Sequence, residues 1–266
     1  MDALERRHLL RSTFTDAAEL YDRVRPSYPA AAFEDLATFA NLDRDAQILE
    51  IGCGTGQATR PLAERGYHVT AIELGADMAA IARRNLDAFA QVSVVVSAFE
   101  SWPLPEQAFD AVVSATAFHW VDPAVRLVKS AAALRPGGTL ALIGTHHIAG
   151  GDTAFFEEVQ RCYEWWDPST PPGLKLQAAG QIPSDTSELD ACGLFDPAII
   201  RRYPWTRTYT ASQYRDLLLT YSGHRALDAD SRAHLLECIT SLIETRYSGR
   251  ITKQYLNELC LARRPQ

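Results

Sequence analysis

Seven consecutive residues, Glu50-Ile51-Gly52-Cys53-Gly54-Thr55-Gly56, follow a short apolar run and lead into a stretch with helical spacing. Three glycines at alternate positions let the backbone approach a ligand closely, because no Cβ stands in the way. A helix N-terminus just after them would present free N–H groups to that ligand. Roughly 20 residues further on stands Glu73, at the end of the next apolar run, where a carboxylate can accept both hydroxyls of a ribose. Turn and acid together make a nucleoside-binding layout. The dinucleotide form of the turn, G-x-G-x-x-G, needs a glycine at position 57, and this chain has Gln57 there. Three histidines follow later apolar runs: His119, within Phe118-His119-Trp120, and the pair His146-His147. Imidazoles titrate near about 6.5, which suits a base or an orienting group at neutral pH.

The surrounding pattern supplies a scaffold for these groups. Strands are expected at residues 47–51, 68–72, 92–96, 109–114 and 139–144. Helices at 55–65, 76–89 and 123–134 separate them, and Pro136-Gly137-Gly138 is expected to break the last. Such alternation implies right-handed βαβ crossovers and a parallel sheet. Ligands of open α/β sheets bind at the carboxyl ends of the strands, where the glycine turn, Glu73 and all three histidines fall. Beyond Gly150 the pattern is less regular. Helices are expected at 155–166, 212–220 and 230–247, strands at 199–205 and 254–263, and a Pro-rich loop at 168–172.

The segment from Glu50 to Gly56 fits E/D-x-G-x-G-x-G and resembles the first motif of class I S-adenosylmethionine (SAM)-dependent methyltransferases. Phe109-Asp110-Ala111-Val112-Val113-Ser114 is similar to the fourth-strand motif of that family. Leu134-Arg135-Pro136-Gly137-Gly138-Thr139-Leu140 is similar to its L-(K/R)-P-G-G motif before the fifth strand. The resemblance covers about Tyr21 to Gly144. It implies an α/β fold: a Rossmann-like seven-stranded, mostly parallel sheet flanked by helices, with an N-terminal helical lid and C-terminal helical cap insertions. It also implies SAM as cofactor, with Glu50, Gly52, Gly54, Thr55 and Gly56 around its methionine and ribose portions and Glu73 on the ribose. Ser97, Ala98 and Phe99 then occupy the adenine segment, with Ala115 at the end of the fourth strand also on the cofactor. Many relatives carry Asp where Ser97 stands; Ser97 accepts a weaker bond, or Glu100 substitutes. Phe99 is either a ring beside adenine or a core aromatic.

A narrower resemblance lies in Tyr21-Asp22-Arg23-Val24-Arg25-Pro26-Ser27-Tyr28-Pro29, which looks like the corresponding run of small-molecule methyltransferases of the trans-aconitate methyltransferase type. There it would fold over the cofactor, with Tyr21 and Arg25 near the methionine end and Arg25 pairing with the cofactor carboxylate. Phe118-His119-Trp120 resembles the F/A-x-H-W segment of the same group. His119 is therefore the catalytic candidate, as base or acceptor-orienting group. Trp120, His146 and His147 are the substrate-binding candidates, and no metal is expected.

The chain of 266 residues is 47% hydrophobic and 22% charged, an ordinary globular balance with enough length for a full core. A net charge of −7 without a basic block makes nucleic acid a poor partner. The start, Met1 to Arg7, lacks the apolar stretch of a signal peptide, and no apolar run approaches membrane-spanning length. Five cysteines (53, 162, 192, 238 and 260), odd in number and far apart, are expected to be reduced, which together suggests a cytoplasmic protein. One domain is expected over 1–266: a lid at 1–44, a SAM-binding core at 45–144, and sheet completion with a substrate cap at 145–266. The expected activity is methyl transfer to a small-molecule acceptor, at oxygen of a carboxylate, phenol or enol, by a monomer or homodimer that meets neither nucleic acid nor membrane. The alternatives are a nicotinamide-dependent oxidoreductase on the same sheet and a SAM-binding module without catalysis.

Overall fold

The computed structural model describes residues 17–266. The Met1–Arg7 start and the first part of the expected lid lie outside the described residues. Seven strands form one sheet: β1 Gln47–Ile51, β2 His68–Glu73, β3 Val92–Val96, β4 Phe109–Ala115, β5 Leu134–Gly151, β6 Ile199–Thr210 and β7 Arg250–Arg263. Their order is β3-β2-β1-β4-β5-β7-β6. β1 pairs in parallel with β2 and β4, β2 with β3, and β4 with β5. β7 runs the other way. Gly137 N–H donates to Arg264 O at 3.0 Å at one end of β5, and Asp152 N–H donates to Thr252 O at 2.9 Å at the other. The sheet is thus mixed, with its five leading strands parallel as expected.

The chain divides into two compact units. The larger comprises Pro26–Thr145, Ser184–Tyr203 and Asn257–Gln266. Strands covered on both faces must be apolar at consecutive positions, and β1 is buried from Ile48 to Ile51. Ile48, Val69, Ala71, Ala111 and Val113 enter one core with Phe33 and Leu36 of the helix Ala30–Ala40. Leu49, Ile51, Ile72, Val112 and Leu140 enter the other with Leu127 and Ala131 of the helix Pro123–Ala133. That helix starts where local chemistry dictates: Asp122 caps it by accepting from Ala124 N–H, and Pro123 occupies the first turn, where its missing N–H costs nothing.

Two expected boundaries are corrected. The helix after the glycine turn is Thr59–Glu64 rather than 55–65, because the residues just before it are used in turns. The helix does end, at Ala133, but Arg135-Pro136-Gly137-Gly138 is no loop before the strand: it belongs to β5, with Gly137 N–H donating to Arg264 O and Gly138 O accepting from Arg264 N–H just past the end of β7.

The smaller unit contains the described residues up to Arg25, His146–Pro183 and Pro204–Leu256. Phe155, Tyr214, Leu217, Leu235, Ile239 and Ile243 are central to its core. Within it Cys162 and Cys238 form a disulfide between the helices Gln160–Trp166 and Ala229–Arg246, with Cα atoms 5.9 Å apart. This overturns the expectation of reduced cysteines. The fold joins positions 76 residues apart and leaves Cys53, Cys192 and Cys260 free, so parity and spacing were no guide. The cytoplasmic expectation loses its cysteine support with it. The cross-link is expected to matter for stability: Cys162→Ser/Cys238→Ser should lose about 2–4 kcal/mol in chemical denaturation. An unchanged midpoint in the double variant would show that the bridge contributes nothing. Among the described residues no helix is long and apolar enough to cross a membrane.

Candidate functional site

The glycine turn leaves the carboxyl end of β1 in the larger unit. Gly52 has φ +72°, in the left-handed region that a side chain disfavours, and a Cβ there would lie 2.4 Å from the Cβ of Ala117. Glycine at this position is therefore demanded twice, by backbone angle and by the loop after β4. Gly52 and Cys53 N–H groups both donate to Ile72 O, at 2.8 and 3.1 Å, which ties the turn to the end of β2.

Glu73 closes the same corner. Its Oε2 accepts from Gly54 N–H at 2.9 Å and its Oε1 from Gly75 N–H at 2.8 Å. Each carboxylate oxygen has two lone pairs, so capacity for ribose hydroxyls remains after both backbone bonds. Glu50, one strand position before Ile51, is only 1% exposed. Its Oε2 is buried without a hydrogen-bond partner, and so is the Thr59 hydroxyl oxygen. Burial pushes the Glu50 carboxyl up to about 7, the Thr59 hydroxyl lowers it in part, and the Glu73 charge raises it further. A buried carboxylate with one oxygen lacking a donor, beside a glycine turn, fits a ligand that brings a positive or N–H group. SAM meets that description: its amino acid portion carries an ammonium, and its ribose suits Glu73.

The segment after β3 lies alongside, with Ser97 N–H donating to Glu73 O at 2.9 Å. Ser97 Oγ bonds Ala98 O at 3.1 Å. Glu100 Oε1 accepts from Asp122 N–H at 3.2 Å, so the substitute for Ser97 already has a structural task. Of the two roles open to Phe99, the structure favours the core aromatic: its ring is buried at 2% exposure, with the Lys129 ammonium 5.3 Å from its centroid. Its backbone is then what a nucleoside could use. Ala115 and Thr55 are both buried within the same unit.

The end of β4 carries one residue whose importance the motif pattern does not announce. Thr116 has φ +54°, an unfavourable angle for a side-chain-bearing residue, and its hydroxyl makes a short hydrogen bond with Tyr28 OH. Strain of this kind concentrates at functional turns. Tyr28, near the end of the quoted N-terminal run and in the same unit, is thus tied to the turn preceding His119. His119 sits in the single 3-10 turn Phe118–Trp120, exposed, with its ring 4.6 Å from that of Trp120.

Tyr21, Arg25, His146 and His147 belong to the smaller unit. Arg25 Nε donates to Thr220 Oγ1 and its Nη2 to Thr220 O, both at 2.8 Å, while its guanidinium lies over the rings of Tyr21 and Tyr221. His147 stands edge-on to Tyr221 with centroids 5.4 Å apart. Of the C-terminal aromatics, Trp165 is largely exposed and Tyr203 bonds Asp35, whereas Tyr214 and Tyr221 line a cavity with His147 and His224. Lys253 lines it too, and the sequence pattern did not single it out.

Residues 49–142 match the family described as a methyltransferase domain. An uncharacterized methyltransferase of Mycobacterium bovis is 38% identical over 131 residues, which is 49% of this chain and 51% of that protein. The malonyl-[acyl-carrier protein] O-methyltransferase of Serratia marcescens is 32% identical over 130 residues, 46% of this chain and 50% of that one. Among solved structures, phosphoethanolamine N-methyltransferase 2 of Haemonchus contortus, in complex with phosphomonomethylethanolamine and S-adenosylhomocysteine, superposes with a TM-score of 0.57 at 17% identity. That match covers 98% of this chain and 60% of the other. Sheet order, glycine turn and these likenesses define one class: the core of this chain is a class I methyltransferase fold. The chain spans about half the length of the curated relatives it matches.

Proposed function

We propose that the protein is a SAM-dependent methyltransferase that transfers a methyl group to oxygen of a small-molecule acceptor, a carboxylate, phenol or enol. One observation carries this reading: the left-handed Gly52 turn, the doubly bonded Glu73 carboxylate and the unpaired, buried Oε2 of Glu50 lie at the carboxyl ends of β1 and β2. The O-methyltransferase of Serratia marcescens among the relatives supports oxygen as the accepting atom.

When bound, SAM supplies a methyl group already activated on a sulfonium. What remains for the chain is to bind, orient and manage a proton. Gly52 and Gly54 keep side chains out of the cofactor's path, Glu73 accepts from ribose hydroxyls, and Glu50 receives the ammonium. Trp120 forms a wall against the acceptor beside His119. An imidazole nitrogen of His119 takes the proton of a phenol or enol, or holds a carboxylate in line, as imidazole can do near neutral pH.

His119→Ala tests the assignment. SAM affinity, read by calorimetry, should stay near that of the wild type, while formation of S-adenosylhomocysteine over an acceptor panel should fall about 10²–10⁴-fold. Unchanged turnover removes His119 from the mechanism. A melting temperature raised by NAD but not by SAM would replace the whole reading with an oxidoreductase.

A further inference from the structure

In the smaller unit, a cavity of about 220 Å³ has an apolar wall that includes Phe156, Val159, Tyr214 and Leu218. Its polar groups are unusual in sign. Lys253 is only 4% exposed, yet its ammonium faces ring surfaces, 4.2 Å from the centroid of Phe156 and 5.6 Å from that of Tyr255. Among the described residues no carboxylate pairs with it, and no Asp or Glu lines the cavity. Burial lowers the Lys253 ammonium to about 8, with no acid to offset it.

The neighbouring groups do not neutralise that charge. Burial pushes both His147 and His224 below the usual imidazole range, and Lys253 and Arg25 lower His147 further. His147 is exposed as a residue, and with its pKa lowered it is neutral at pH 7. Tyr163 OH bonds His224 Nε2 at 3.0 Å. Burial holds Tyr163 and Tyr221 above the ordinary phenol range, so they remain protonated donors. Asp167, the acid that acts on His224, is committed to Ser169 and Thr170 through its carboxylate oxygens. In a chain of net charge −7, this pocket presents a net positive field.

An ammonium set this deep, facing ring surfaces and the cavity with no carboxylate to pair with, is stabilised when an anion fills the cavity. We propose that this cavity binds a small monocarboxylic acid with an apolar body, its carboxylate paired with Lys253 and its body against Phe156, Tyr214 and Leu218. A cavity of about 150 Å³ admits benzene, so the volume here suits one ring with a substituent, or an aliphatic chain of similar bulk. The proposal concerns the smaller unit alone and stands independently of the methyltransferase reading.

Calorimetric titration of benzoate, benzyl alcohol and benzylammonium into the protein at pH 7 tests it, with S-adenosylhomocysteine titrated in parallel. Benzoate should bind at least about 10-fold more tightly than either other probe, and Lys253→Met should lose about 10-fold or more in benzoate affinity, the range of a hydrogen bond to a charged group. Lys253→Arg should retain most of it. Leu176→Trp, at a half-buried position of the cavity wall, should exclude benzoate without changing the melting temperature, and carries the test should Lys253→Met not fold. No benzoate binding by the wild type, equal affinity for the three probes, or full affinity in the folded Lys253→Met or Leu176→Trp protein overturns the proposal. S-adenosylhomocysteine binding without benzoate binding removes the cavity ligand and leaves the methyltransferase reading. The reverse result keeps the acid site and overturns the methyltransferase reading.

Discussion

Gly52→Ala is expected to cost the protein about 100-fold or more in affinity for SAM, the equivalent of about 3 kcal/mol. Two penalties act together. A non-glycine residue at φ +72° costs about 1–2 kcal/mol, and the new methyl would stand 2.4 Å from Ala117 Cβ, a separation that forces one loop to move. Either the turn at the end of β1 or the Thr116–Ala117 corner must shift, and both border the proposed site. The two penalties can be separated. Gly52→Ala/Ala117→Gly removes the overlap and keeps the unfavourable angle, so it should recover about 10-fold of the loss, a coupling expected of residues in direct contact. Calorimetry with SAM and thermal melting of the apo proteins read the two effects apart. Wild-type affinity in Gly52→Ala would remove the glycine turn from the cofactor site.

That close approach explains why part of the fold was legible and part was not. Ile48, Val69, Ala71 and Val113 enter one core and Leu49, Ile51, Ile72 and Val112 the other, so apolar residues on both faces, interrupted here by Glu50 and Thr70, betray buried parallel strands. The helix after the turn was placed too early because residues around Thr55 have acceptable helical spacing, while the left-handed glycines and their bonds to Ile72 and Glu73 hold the chain in turns until Thr59. Arg135-Pro136-Gly137-Gly138 has breaker composition, and only its pairing with Arg264, far along the chain, makes it strand. Cys162 and Cys238 likewise meet through tertiary packing between two helices, for which local pattern holds no signal.

The site divides along the same line. Glu50, Gly52, Gly54 and Glu73 are readable because their spacing along the chain is itself the geometry of a strand, a turn and a second strand. Tyr28 and Thr116 meet across 88 positions. Lys253 had a signal that could have been used. Along β7, Ile251, Lys253, Tyr255 and Asn257 stand at alternate positions and are all buried, so the two-residue period of a strand directs the lysine inward with its apolar neighbours. A lysine in phase with Ile and Tyr on a strand is an exception to the rule that exposes lysines, and such exceptions mark sites more reliably than the rule does.

Glu50→Gln is expected to act in opposite directions on the empty and the liganded protein. In the folded apo protein the Glu50 carboxyl titrates at about 7, against about 4.5 when exposed. Below pH 4.5 both folded and unfolded chains hold the proton, and the group leaves stability unchanged. Between pH 4.5 and 7 the unfolded chain releases the proton while the folded chain keeps it, so stability falls as pH rises. Above 7 both are ionised and the full cost, about 3 kcal/mol for a shift of this size, persists. Glutamine abolishes that cost, so the apo variant should melt higher than wild type at pH 8, with the difference disappearing toward pH 4.5. Ligand binding should show the reverse. A cationic group facing Glu50 favours its carboxylate, so wild-type SAM affinity should rise as pH increases toward 7, with proton release detectable by calorimetry in buffers of different ionisation enthalpy. In Glu50→Gln that release should vanish and affinity should drop about 10-fold or more. A variant more stable when empty and weaker for ligand identifies Glu50 as a residue kept for binding at the expense of the fold. Equal SAM affinity and equal proton release in the two proteins would instead leave the buried carboxylate without a ligand to justify it.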